Sequence, residues 1–93
     1  MSVELLGWKK KLETERNDLI KKREIIEGRL QQKKMMWSIL QKLSESERGP
    51  LYNETEDAVH KYEQELESFT EANQLKLTEI EAILSVIDKQ VSS

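Results

Sequence analysis

Apolar residues return every seventh position along the first half of the chain, at Leu5, Leu12, Leu19, Ile26 and Leu40, with Lys33 standing in the one gap. A seven-residue step keeps a line of side chains on one side of an α-helix, whereas a strand alternates its side chains with period two and cannot use it. The same step governs the second half at Tyr52, Val59, Leu66, Ile80 and Ile87, with Asn73 in the gap. The spacing predicts two long helices, each with an apolar seam. Trp8, Met36 and Leu43 stand three residues after the first register, and Tyr62, Phe69, Leu77, Ile83, Leu84 and Val91 flank the second.

Between the two patterns lies SESERGPLYNE, residues 44–54, which holds the only proline, Pro50, directly after Gly49. Pro50 has no N–H to donate and pushes the residue before it away from helical angles, so this stretch is the expected reversal. Ser2 suits a cap on the first helix, Arg48 and Gly49 suit a helix end, and Asn53 followed by Glu56 has the form of a capping box opening the second helix. The expected architecture is all-α, a single antiparallel two-helix hairpin over residues 1–93. Its first helix is placed at about 3–46, its turn at about 47–53 and its second helix at about 54–91. Gly7 and Gly28 fall off the seam and read as tolerated interior glycines, each costing about 1 kcal/mol relative to alanine.

Only 37% of the residues are hydrophobic while 35% are charged, so the core is thin or shared between chains. Met35, Met36 and Trp37 are consecutive and sweep about 200° of helix surface, more than one partner helix can cover. The same excess recurs at Leu5, Leu6 and Trp8, at Ile25 and Ile26, and at Ile39 and Leu40. A dimer of hairpins forming a four-helix bundle is therefore expected, or a hetero-oligomer with another helical protein. In the first helix the interface residues for such an assembly are Leu5, Trp8, Leu12, Leu19 and Ile26, followed by Met35, Met36, Trp37 and Leu40. In the second they are Val59, Tyr62, Leu66 and Phe69, then Leu77, Ile80, Ile83, Leu84 and Ile87.

Net charge is −3, but residues 1–48 hold 12 Lys and Arg against 8 Asp and Glu, while residues 49–93 hold 3 against 10. Lys11, Lys22 and Lys33 form a basic strip that is expected to face the acidic half rather than phosphate, because no aromatic residues alternate with the lysines and the chain as a whole is acidic. Nucleic acid is not an expected partner. Glu63, Glu67 and Glu71 read as a solvated outer face. His60 is the sole histidine and there is no cysteine, so neither a zinc site nor a nucleophile–base pair is expected. No catalytic residue, cofactor or metal ligand is assigned. No apolar run approaches the ~20 residues of a membrane span, and the short apolar stretch before Lys9 has the wrong order for a secretory signal, which points to the cytoplasm.

The tryptophan near the reversal sits in Trp37-Ser38-Ile39, the turn carries Arg48-Gly49-Pro50, and a Tyr-x-x-x-Glu string runs from Tyr52 to Glu56. In size and hairpin layout the chain resembles the WXG100 or ESAT-6-like proteins, whose turn carries Trp-x-Gly and whose Tyr-x-x-x-Asp/Glu export string follows the second helix. The resemblance implies dimeric four-helix bundles and a place in type VII secretion, here as the partner of a toxin's helical targeting domain. The residues themselves point to a non-enzymatic helical interaction module, an adaptor, regulator or structural coiled coil. A secretion-associated hairpin or chaperone, and a small inhibitor of a larger complex, are the alternatives.

Overall fold

The structure, a computed structural model, describes residues 2–92. Two α-helices, α1 (Val3–Leu40) and α2 (Pro50–Ser92), are joined through a 3₁₀ turn at Glu45–Glu47. The described residues include no strand, and the helices pack against each other as a hairpin. Ser2 opens α1 as expected: the Leu5 N–H donates to its Oγ at 3.0 Å and the Leu6 N–H to its carbonyl at 3.0 Å.

The reversal is built differently from the sequence expectation at both ends. α1 stops at Leu40 rather than near residue 46. Beyond it the bonding tightens, with the Lys42 and Leu43 N–H groups donating to the Ile39 and Leu40 carbonyls, each at 3.1 Å, before Ser44 turns extended at φ −68° and ψ 160°. α2 starts at Pro50 rather than near residue 54. Proline suits the first helical position, where an N–H would find no partner and the ring presets φ. The Gly49 carbonyl accepts from Tyr52 at 3.1 Å and Asn53 at 3.4 Å, so Asn53 lies inside the helix, exposed, and is not its cap.

The same Ser/Asn-x-x-Glu chemistry works one loop earlier. Ser44 donates both its N–H, at 3.0 Å, and its hydroxyl, at 2.7 Å, to Glu47 Oε1, and the Glu47 N–H donates to the Ser44 carbonyl at 2.9 Å. The Ser44 hydroxyl and then its N–H hold the Glu47 carboxyl below the usual carboxylate range. A depressed folded value means that this clasp contributes fully above the carboxyl's unfolded value and is lost as pH falls through the folded one. NMR titration is expected to place the Glu47 midpoint below the usual carboxylate range, and Ser44→Ala, which removes the hydroxyl but keeps the backbone N–H, is expected to move it part of the way back.

Arg48 closes the other side of the loop. Its Nε and Nη2 donate to the Leu43 and Gln41 carbonyls at 3.2 and 3.3 Å, satisfying groups left open past the end of α1. Its guanidinium lies 4.6 Å from the centre of the Tyr52 ring, which is in turn 4.6 Å from the Trp37 ring at a 44° tilt. One stack of three side chains thus joins the loop, the end of α1 and the start of α2.

Packing divides the chain into two compact units, one formed by Met1–Lys22 with Thr70–Ser93 and the other by Arg23–Phe69. In the first, called the terminal unit, Leu12, Ile80 and Leu84 form the core, with Leu19 and Ile83 packed against it. Lys9 bridges to Asp88 at 3.0 Å, and Lys76 pairs with Glu15. The hydrogen bond to Asp88, and then its charge, hold the Lys9 ammonium above its ordinary range. In the second, called the turn unit, Ile26, Leu30, Val59 and Thr55 are buried.

The seven-residue line of α1 is the seam, but its second line differs from the expected one. The neighbours of the seam stand four residues after it, at Lys9, Arg16, Arg23, Leu30 and Trp37, all buried or half-buried. Trp8 and Met36 are exposed instead, and Leu43 lies past the helix. Three of the five places are basic, and their aliphatic stems can cover the seam while the charged heads reach its edge. In α2 the second line runs three residues after the first at Thr55, Tyr62 and Phe69, then four residues after Asn73 and Ile80, at Leu77 and Leu84. Such a change of step shifts the stripe around the helix.

Candidate interaction face

The residues expected at a partner interface separate into three groups. Leu12, Ile26, Val59, Leu77, Ile80, Leu84 and Ile87 are buried by the chain's own packing. Leu5, Leu19, Trp37, Leu40, Tyr62, Leu66, Phe69 and Ile83 are half-buried along the seams. Trp8, Met35 and Met36 are exposed. Most of that set therefore packs within the hairpin, and Trp8, Met35 and Met36 are its members open to solvent.

In the turn unit, the position of that surface follows from the corrected register. Each helical residue is rotated about 100° from the next, so the residues just before and just after a seam residue fall on opposite flanks of the helix pair. Those just after the seam are polar throughout: Glu24, Glu27, Gln31, Lys34 and Ser38 on α1, and Asn53, Glu56, His60, Glu63 and Glu67 on α2. Those just before it include Ile25, Met36 and Ile39 on α1 and Leu51 and Ala58 on α2. Four of these are large and open to solvent, Ile25 at 54%, Met36 at 42%, Ile39 at 66% and Leu51 at 70% exposure.

Two grooves mark the two flanks. On the apolar side, Met36, Ile39 and Leu40 of α1 and Leu51 and Thr55 of α2 line a groove of 230 Å³. On the polar side, Lys34, Trp37, Glu56, Val59, His60 and Glu63 line one of 470 Å³, with His60 Nε2 at 3.9 Å from the Glu56 carboxylate one turn away. Ile25 and Ile39 belong to the apolar excess expected to need a partner, but neither they nor Leu51 stand among the expected interface residues. Their common place one step before the seam, which puts them on one flank, follows from Arg23, Leu30 and Trp37 forming its second line.

The charged features fall as follows. Lys11 and Lys22 of the basic strip are exposed and Lys33 is half-buried on the seam. Of the two ion pairs between helices of the terminal unit described above, Lys9–Asp88 follows the expected polarity, base on α1 and acid on α2, while Glu15–Lys76 reverses it. Solvent-accessible pairs of this kind set orientation more than stability. Glu63, Glu67, Glu71 and His60 are exposed. Neither described helix is long and apolar enough to cross a membrane. No protein-family model, characterised protein or solved structure matches this chain, so the likeness to WXG100 proteins is one of helical-hairpin outline alone.

Proposed function

We propose that the chain is a non-enzymatic helical-hairpin interaction module that self-associates, two hairpins forming a four-helix bundle. The observation that carries this reading is the contrast between the flanks of the turn unit, one polar at every position and the other presenting Ile25, Met36, Ile39 and Leu51 to solvent. Large apolar side chains gathered on one flank gain about 1.5–3 kcal/mol each when fully buried, and a patch of this kind is what a helical partner covers. The low hydrophobic content, 37%, adds support, because a chain with so little apolar surface has spent part of it outside its own core.

Sedimentation equilibrium on the full chain is expected to give a reversible monomer–dimer equilibrium, with helicity rising alongside the dimer fraction. A chain that stays monomeric and fully helical at the highest concentrations reached would overturn the proposal.

A further inference from the structure

The observations reach further than self-association in general, and the step taken here rests on that reading. We infer that the dimer forms through the apolar flank of the turn unit, with a second copy of this chain laid over it so that each copy's α1 covers the other's α2.

The occupant follows from charge. Residues 23–40 of α1 carry four basic and two acidic side chains, whereas residues 50–69 of α2 carry one basic and six acidic. The apolar flank is thus bordered by a basic helix on one side and an acidic helix on the other. Two identical flanks brought face to face can be related by a two-fold axis along the hairpin or across it. An axis across the hairpin places α1 over α1 and α2 over α2, like charge on like. The axis along it places basic α1 over acidic α2 twice, with both turns at the same end. The flank is therefore complementary to itself in one orientation, and electrostatics of this kind fixes orientation more than affinity.

The side chains suit that geometry. Met36, Ile39 and Leu51 supply adaptable apolar bulk near the turn, while Ala58 and Ser68, also just before the seam, are small and let a crossing helix approach α2. Arg29 stands on this flank of α1 and Glu65 on this flank of α2, so the favoured orientation brings them together between copies.

The test compares matched charge insertions by sedimentation equilibrium, with circular dichroism reporting helix content. Met36→Glu and Ile39→Glu are each expected to weaken dimerisation about tenfold or more. Gln31→Glu, the same added charge on the polar flank of α1, is expected to leave it unchanged. Arg29→Glu is expected to weaken the dimer, and adding Glu65→Arg in the same chain to restore it. If both Glu insertions on the apolar flank dimerise like the wild type, the face is wrong while self-association stands. If the wild type is itself monomeric, both are wrong. If the Arg29→Glu and Glu65→Arg double variant is no tighter than Arg29→Glu alone, the orientation is overturned.

Discussion

Truncating Ile80 to alanine is expected to lower the unfolding free energy by about 3 kcal/mol, and truncating Leu75, five positions earlier on the same helix, by less than about 0.5 kcal/mol. Hydropathy alone gives no reason to separate an isoleucine from a leucine so near it. Position does: Ile80 is 2% exposed in the cluster with Leu12 and Leu84, whereas Leu75 is 86% exposed. The alanine at 80 loses the transfer energy of three carbons and leaves a void that Leu12 and Leu84 cannot fill without leaving their rotamers. Urea unfolding followed by circular dichroism, at one protein concentration so that association contributes equally, is the measurement. Equal losses at the two positions would show that the core of the terminal unit is not built around Ile80.

The opposite sign is expected from the interior glycines. Replacing Gly7 and Gly28 together by alanine should raise stability by about 2 kcal/mol, about 1 kcal/mol from each, because both lie within α1 and a methyl group there meets nothing within 4 Å beyond the backbone of its own helical turn. The positions are far apart in sequence and fall in different units, so the two gains should add. Thermal melts of the single and double variants measure this directly. Gly49→Ala is the contrasting case. A methyl group has equal room there, but Gly49 caps α2 and alanine is a poorer cap than glycine, so no gain is expected.

The seven-residue lines were legible because aliphatic residues occupy them almost without interruption, and Pro50 marked the reversal because no helix runs through a proline unbroken, although here it opens α2 rather than closing α1. The second line of α1 was not legible. Lys9, Arg16 and Arg23 sit on it, and a hydropathy pattern cannot tell a basic residue whose stem lies on a seam from one that points to water. Trp8 and Met36, whose apolar character is plain, take that line in a hydropathy pattern, yet both lie on the outside. With the basic line as the true neighbour of the seam, Ile25, Ile39 and Leu51 fall together on one flank. The Met35–Trp37 run shows the same difficulty at single residues: Trp37 turns in against Tyr52, Met36 lines the apolar groove, and Met35 stands 61% exposed. At the loop, Ser44 to Glu47 and Asn53 to Glu56 spell the same capping pattern, and only the backbone decides which of them acts. Pro50 at the first helical position settled the choice by carrying Asn53 into the helix interior.

Because cations occupy much of its second line, α1 has an inner edge that repels an identical edge. Two copies of α1 set edge to edge would bring Lys9, Arg16 and Arg23 against their own kind, whereas the second arm offers that margin the opposite sign, as Asp88 does for Lys9.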